Sequence, residues 1–308
     1  MGLTIGLALG SGGARGLAHA GVLEALEEAG VRADVVAGTS MGSIVGGLYA
    51  QNPDSALVWS RLEAYVRSEE FIAYWAPFVP REDNEGLDAR NRLMGLYEFM
   101  QRKLIAVRTV TRPYLQTAEQ LLNPLHSLFG PITFEELAIP LATVALDLVS
   151  GQCVTYTEGS LVQGIYASSC IPAVFPPVEE DGRIIVDGGG PYRVPIEACR
   201  QLGADFVIAV DIPAFQEHSF TTGLDMIMRS NTIARQRLNQ FSCATADFVI
   251  TPDVTDFHWA DFGAGEACRT RGYTATRERL PRLQRELRWR RSLPFKAKKL
   301  TQKILRMT

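Results

Sequence analysis

Short apolar runs alternate along this chain with stretches in which apolar residues recur at helical spacing. Residues 3–9 predict a buried strand, which a glycine-rich turn connects to an amphipathic helix ending at Gly30. A second apolar strand begins at Val35 and runs through GTSMG (38–42) into another helix. The apolar residues expected on one face of that helix are Met41, Ile44, Val45, Leu48 and Tyr49. This order predicts a parallel βαβα opening.

The alternation resumes in the second half of the chain. Asp181-Gly182 predicts a type I′ hairpin that leads into a strand ending at Asp187. Residues 54–130 are mostly helical in pattern and predict a cap or insertion over the sheet. The fold class expected is a three-layer α/β/α domain with a mostly parallel central sheet. The other predicted strands are 140–148, 152–157, 183–186, 205–210 and 248–251, and the predicted helices are 160–168, 195–202 and 222–246.

Composition fits a globular protein with a sizeable core: 308 residues, 46% hydrophobic and 21% charged. The five cysteines are scattered without a CxxC pair, which favours reduced, packed thiols over disulfides or a zinc site. No secretory signal is visible, so we expect a cytoplasmic protein. The longest uncharged run, 35–53, is interrupted by glycines and hydroxyls, and a buried helix explains it better than a membrane span.

The GTSMG pentad has the GxSxG pattern of a nucleophile elbow. Glycines at 38 and 42 allow a sharp turn between strand and helix, and this turn exposes the hydroxyl of Ser40 at the end of the sheet. The alternative is that Ser40 only caps the following helix, since the spacing also arises by chance.

The glycine-rich loop GSGGARG (10–16) follows the first strand. Because the carboxyl ends of parallel strands share one edge, the N–H groups of Gly12, Gly13 and Ala14 are candidate donors toward the crevice that holds Ser40. Such donors would stabilise the oxyanion formed when a serine attacks an ester. The alternative is dinucleotide binding, but the loop lacks GxGxxG and the second strand lacks the terminal acidic residue.

A serine nucleophile needs a base, and the chain has four histidines: His19, His126, His218 and His258. A triad in the order serine, acid, histidine would require His218 or His258. Asp187 is the stronger candidate, because it ends a strand and three glycines follow it, which permits close approach to another tight turn. The alternative is a turn-forming aspartate without a catalytic role.

Four blocks together resemble one family: LGSGGARGLAHAGVLEAL (9–26), GTSMGSIVGGLYA (38–50), ASSCIPAVFPPV (167–178) and DGG (187–189). They are similar to the patatin-like phospholipases, in particular the bacterial group similar to the esterase domain of neuropathy target esterase. The resemblance implies a patatin-like fold and hydrolysis of phospholipid, lysophospholipid or other acyl esters without a metal or organic cofactor. It implies a Ser40–Asp187 dyad without histidine. The oxyanion and substrate-binding loop would comprise Ser11, Gly12, Gly13, Ala14 and Arg15.

Two positions depart from the family pattern. Ser11 replaces the first glycine of a triplet, and Tyr192-Arg193 replace the Asn-Pro that often follows DGG. We expect the second departure to affect substrate preference more than the reaction. The block 167–178 predicts a rigid turn that packs Val174 and Phe175 into the core. A second role would be to hold the Asp187 hairpin against the elbow.

The C-terminal residues 269–308 form a basic segment, with 14 Lys or Arg against two Glu, or +12, while the net charge of −3 leaves −15 for residues 1–268. We therefore divide the chain into an acyl hydrolase domain, 1–268, and a basic helix or tail, 269–308. Leucines, Trp289 and Phe295 mixed with basic residues are typical of a helix on an anionic membrane surface. The alternative is a solvated helix. Nucleic acid is disfavoured as a partner by the acidic remainder.

The leading hypothesis is a serine acyl hydrolase, cytoplasmic or peripheral on the inner membrane face. Two alternatives stay open: a catalytically weak regulatory or binding protein on the same fold, and a histidine-dependent α/β-hydrolase.

Overall fold

The computed structural model describes residues 2–78, 112–214 and 222–292, and its strands form one eight-stranded sheet. The strands are β1 Ile5–Leu9, β2 Val35–Gly38, β3 Leu141–Asp147, β4 Cys153–Tyr156, β5 Val178–Glu180, β6 Arg183–Asp187, β7 Phe206–Val210 and β8 Phe248–Ile250. The helices are α1 Ala18–Glu28, α2 Met41–Gln51, α3 Ser55–Val66, α4 Glu69–Trp75, α5 Glu119–Phe129, α6 Leu161–Ser169, α7 Ile196–Gln201, α8 Gly223–Cys243 and α9 Gly265–Arg291.

The sheet is mixed and mostly parallel, with the order β5-β6-β3-β2-β1-β7-β8 and β4 paired to β3. Strands β3, β2, β1, β7 and β8 run parallel, and β4, β5 and β6 add antiparallel pairs. The predicted α/β fold class is confirmed. The predicted hairpin at Asp181-Gly182 is also confirmed, since both residues have the positive φ angles, 49° and 76°, that a type I′ turn requires.

Alternation along β1 explains the three layers. Ile5, Leu7 and Leu9 pack into a core with α1, α2, α3, α5, α6 and α9, whereas Ala8 packs on the opposite face with α7. A strand covered on both faces must be apolar throughout, and β1 and β7 are buried at every position.

Strands β2 and β6 meet end to end along the same edge of β3. Thr143 of β3 pairs with both Gly38 and Tyr156, so β2 and β4 lie on opposite sides of β3. Leu146 of β3 pairs with β4 on one side and with β6 on the other. Strand β6 therefore lies on the same side of β3 as β2. The carboxyl ends of β2 and β6 therefore point toward each other, with Gly38 and Asp187 opposite residues only two positions apart in β3.

Helix α2 is buried all round, which confirms the buried helix predicted for this stretch. Every residue from Met41 to Ala50 is buried. The side away from its large apolar residues includes Gly42, Gly46 and Gly47, which allow close packing against strand and helix neighbours. A Cβ atom on Gly42, for example, would lie 2.1 Å from the carbonyl oxygen of Leu9.

Helix α9 contains the first half of the basic C-terminal segment and packs against α1. Its leucines Leu280, Leu283 and Leu287 are buried in the core. They cannot form the apolar face expected on a membrane, because the protein interior already covers them. Several of its arginines pair with acidic residues of the domain, as Arg269 does with Glu24. Residues 293–308 lie outside the described residues, as do residues 79–111 of the expected cap.

No helix in the described ranges is both long enough and apolar enough to cross a membrane.

Candidate active site

Ser40 occupies a strained turn between β2 and α2. Its φ of 55° and ψ of −123° are rare for a residue with a side chain, and they project the hydroxyl out of the turn. A Cβ atom on Gly38 would lie 2.4 Å from the carbonyl oxygen of Gly42, so the turn leaves no room for a side chain there. The local structure at GTSMG is thus that of a nucleophile elbow, as the pattern predicted.

The elbow is anchored by Ser168 at the end of α6. The backbone N–H of Ser40 donates to the Ser168 hydroxyl (2.9 Å), which donates in turn to the carbonyl of Val144 in β3 (2.7 Å). The elbow N–H is therefore directed into the protein. Nothing in the sequence assigns a role to Ser168 by itself, although its block, 167–178, is part of the resemblance.

Asp187 lies beside Ser40, and the Ser40 side chain favours the ionised form of its carboxylate. The Oδ1 atom of Asp187 accepts the N–H of Gly189 (2.7 Å), which fixes the carboxylate. Ser40 and Asp187 are 7% and 9% exposed, so both are largely shielded from water although they line the cleft. Burial raises the pKa of Asp187 from 3.8 to about 6, against the opposing effects of the Ser40 side chain and the Gly189 N–H.

Two arginines favour the charged form of this carboxylate. Arg193 and Arg235 lower the pKa of Asp187 electrostatically, though by less than burial raises it. The Arg193 guanidinium is held by the carbonyl of Ile212 and lies 3.8 Å from the Asp211 carboxylate. Arg193 was noted in the sequence as part of the departure after DGG, beside Asp187, whereas Arg235 was not found because it belongs to a distant helix.

The departure at Tyr192-Arg193 proves to connect three loops of the site. The carbonyl of Tyr192 accepts the Thr39 hydroxyl (3.0 Å), and the carbonyl of Arg193 accepts the N–H of Ser11 (2.8 Å). This segment follows the Asp187 turn directly. It therefore joins the elbow and the glycine loop to the strand end that carries Asp187.

The glycine loop retains two candidate oxyanion donors instead of three. The N–H of Ala14 donates to the carbonyl of Trp259 (2.7 Å), so it is not directed at the crevice. Gly12 and Gly13 line the cleft with Ser40, and no acceptor for their N–H groups is found among the described residues. Gly13 has a φ of +57°, which glycine adopts without strain.

Arg15 belongs to the same loop. It is buried, its Nε donates to the carbonyl of Gly12 (3.3 Å), and its Nη1 has no partner within the described part of the chain. Burial and the nearby charge of Arg193 lower its pKa to about 10, so it remains a cation at neutral pH. Arg15 thus brings a positive charge close to the candidate donors.

The three described histidines do not line the cleft. His19 is fully buried, with Nε2 2.7 Å from the carbonyl oxygen of Gly10, and burial lowers its pKa to about 4. His258 also has its pKa lowered to about 4 by burial, and its Nδ1 accepts the N–H of Ala260. His126 is exposed on α5. His218 lies outside the described residues.

Ser40 and Asp187 open into a cleft of about 650 Å³, within the size range of small-molecule sites. Cations and apolar side chains share its wall, an arrangement suited to a ligand with a charged part and a hydrocarbon part. The apolar lining includes Phe78, Leu115, Leu146, Ile171, Val174, Met228 and Trp259, and the cations are Arg15, Arg193, Arg229 and Arg235. Within the three described ranges no cluster of His, Cys, Asp and Glu could hold a metal.

The chain is similar to known proteins. Residues 7–200 match the family model described as patatin-like phospholipase. An uncharacterized NTE family protein of Mycobacterium tuberculosis is 34% identical over 68% of this chain and 49% of its own length. Human patatin-like phospholipase domain-containing protein 6 is 30% identical over 72% of this chain and 14% of its own.

The lysophospholipase NTE1 of Mycosarcoma maydis is also similar, with 28% identity over 71% of this chain and 10% of its own length. The chain therefore spans half or less of the length of these relatives.

Proposed function

The chain belongs to the patatin-like phospholipase family, and from this premise we propose that it is a serine acyl hydrolase of lipid esters that uses a Ser40–Asp187 dyad. The observation that carries the proposal is the position of the Ser40 side chain beside the Asp187 carboxylate, with both residues lining the cleft. The absence of any described histidine from the cleft lining supports a dyad over a histidine-dependent triad.

In the proposed first step, Ser40 Oγ attacks the ester carbonyl carbon while its proton passes to Asp187. The raised pKa of Asp187, about 6, makes the carboxylate a better proton acceptor at neutral pH than an ordinary aspartate. Collapse of the tetrahedral intermediate expels the alcohol, which takes the proton from Asp187. Water then attacks the acyl-enzyme by the same route and releases the carboxylic acid.

The negative oxygen of the intermediate would be stabilised by the N–H groups of Gly12 and Gly13, with the charge of Arg15 behind them. The Ser40 N–H cannot contribute, because Ser168 accepts it.

The cleft wall suggests the substrate class. Arg193, Arg229 and Arg235 are placed to attract a phosphate, and the apolar residues can cover an acyl chain. The relative from Mycosarcoma maydis is named a lysophospholipase, which is consistent with this chemistry. We therefore propose a phospholipid or lysophospholipid substrate, met at the surface of a membrane.

The test is hydrolysis of p-nitrophenyl butyrate and of lysophosphatidylcholine by purified protein, with labelling by a serine-directed fluorophosphonate. We expect Ser40→Ala and Asp187→Asn each to lower kcat/KM by about a thousandfold or more, and Ser40→Ala to abolish labelling. His258→Ala is the control and should retain activity.

Two results would contradict the proposal. Loss of activity in His258→Ala with activity retained in Asp187→Asn would favour a histidine-dependent enzyme. Absence of both turnover and labelling in the wild type would favour a regulatory protein on this fold.

A further inference from the structure

Helix α8 exposes an apolar stripe on its outward face. Ile227, Leu238 and Phe241 are 60%, 48% and 76% exposed. At about 100° of rotation per residue, these three residues and Ala234 fall within about 60° of each other around the helix. The stripe runs roughly 21 Å along the axis, at about 1.5 Å per residue. Exposed apolar residues concentrated on one helix face mark an interaction surface more often than scattered ones do.

The opposite face of the same helix borders the cleft. Arg229, Thr232 and Gln236 line the cavity that contains Ser40. One turn further along, the amide of Asn239 donates to the Asp211 carboxylate (2.9 Å) and fastens the helix to the end of β7. The stripe and the cleft therefore lie on two sides of one helix.

The charges of α8 indicate what covers the stripe. Residues 226–243 contain three arginines and no acidic residue. Arg235 and Arg237 flank the stripe on its two sides, roughly 70–90° around the helix from its centre. Apolar residues bordered by cations fit the headgroup and upper acyl region of an anionic lipid bilayer.

We propose that the outward stripe of α8 docks the protein on anionic membranes and thereby keeps the cleft, on the other side of the same helix, close to the lipid surface. This inference rests on the proposed function, since it explains how a lipid ester reaches Ser40. Exposed Met226 and Met228, at the amino end of the helix, extend the apolar surface toward the cleft, which Met228 lines. The leucines of α9 cannot provide such a face, because they are buried.

The test is flotation of the full chain with vesicles of phosphatidylglycerol and phosphatidylcholine in equal parts, with pure phosphatidylcholine vesicles in parallel. We expect Leu238→Ser/Phe241→Ser to reduce binding to anionic vesicles about tenfold or more. The matched control is Leu148→Ser/Val149→Ser, which removes two apolar residues of similar exposure, 54% and 64%, from the turn after β3. This control should bind as the wild type does.

A charge-reversal pair tests the electrostatic part. Arg237→Glu should weaken binding to anionic vesicles, whereas Arg285→Glu, on the exposed side of α9, should have a much smaller effect. Size-exclusion chromatography with light scattering, run on every variant, reports self-association through the same surface.

The proposal is overturned if the wild type does not bind anionic vesicles, or if the double variant binds as well as the wild type. It is also overturned if the wild type is a dimer that the double substitution dissociates, because the stripe would then be covered by a second copy. Turnover of p-nitrophenyl butyrate separates the two proposals. The double variant should keep this turnover. Absence of turnover in the wild type would contradict the proposed function, but it would leave the vesicle-binding result unaffected.

Discussion

The elbow and α8 face the same cleft but are built in opposite ways. Around Ser40 the backbones of β1, β2 and α2 approach so closely that glycines are required, and Ser168 and Tyr192 fix the turn by hydrogen bonds. Helix α8 contacts the body along one face and exposes most of its other residues. The difference matches the two proposed tasks, since proton transfer requires atoms fixed within a fraction of an ångström, whereas docking on a fluid surface does not.

The largest effect that this comparison predicts is a loss of stability when Gly42 is substituted. Because its Cβ would lie 2.1 Å from the backbone oxygen of Leu9, Gly42→Ala should lower the free energy of unfolding by about 3 kcal/mol or more. The matched control is Gly46→Ala on the same helix, whose Cβ would meet only side chains, the nearest being Val36 Cγ1 at 3.1 Å.

Alanine is the better helix former by about 1 kcal/mol, so the control should be near neutral. Urea denaturation measures both variants. Equal stability of the two would show that the elbow is less tightly packed than its geometry indicates.

A smaller effect is expected at Ser168. Removing its hydroxyl leaves the Ser40 N–H and the Val144 carbonyl without a partner, and Ser168→Ala should cost about 2 kcal/mol of stability. Because the elbow would lose its anchor, kcat should fall about tenfold to a hundredfold while KM changes little.

Ser160→Ala is a suitable control for Ser168→Ala. It removes a hydroxyl that caps the start of the same helix, away from the cleft, and should cost about 1 kcal/mol without lowering kcat. A Ser168 variant with reduced stability but wild-type kcat would limit this residue to a structural role.

These two sites show why the sequence predicted part of the active site and not the rest. Gly38 and Gly42 are signals in the sequence because a tight backbone excludes every other residue at those positions. Ser168 and Arg235 carry no such signal, since serine and arginine are ordinary in helices and the packing of distant segments brings these two to the dyad. The end-to-end meeting of β2 and β6 likewise depends on pairing with β3, which local patterns do not encode.

The third effect is on the pH dependence of the reaction. Since Asp187 must be ionised to accept a proton, kcat/KM should rise with pH through a midpoint near 6. Arg193→Gln removes a cation that favours the carboxylate, so the pKa of Asp187 and the midpoint should move to higher pH. Arg183→Gln, at an exposed pair with Glu180, is the control and should leave the midpoint unchanged. A midpoint near 4 in the wild type would contradict the role of burial.

The raised pKa of Asp187 also predicts how stability depends on pH. The folded protein binds the Asp187 proton more tightly than the unfolded chain, whose aspartate has the ordinary pKa of 3.8. The contribution of this group to the free energy of unfolding is therefore greatest below pH 3.8 and is lost as pH rises through about 6. Asp187→Asn should remove this part of the pH dependence, and denaturation of both proteins between pH 4 and pH 7 measures it.

The smallest effect on the free energy of unfolding is expected for substitutions on the exposed stripe of α8. This small effect would distinguish α8 from the tightly packed elbow. Leu238→Ser should change the free energy of unfolding by no more than about 0.5 kcal/mol, because nearly half of the side chain is already in water. The buried Leu283→Ser on α9 is the contrast, and it should cost about 3 kcal/mol or more. If Leu238→Ser destabilised the isolated protein as much as Leu283→Ser does, the stripe would be part of the fold. A negligible change in the free energy of unfolding, together with weaker vesicle binding, would instead mean that the stripe serves binding to the membrane surface and not the fold.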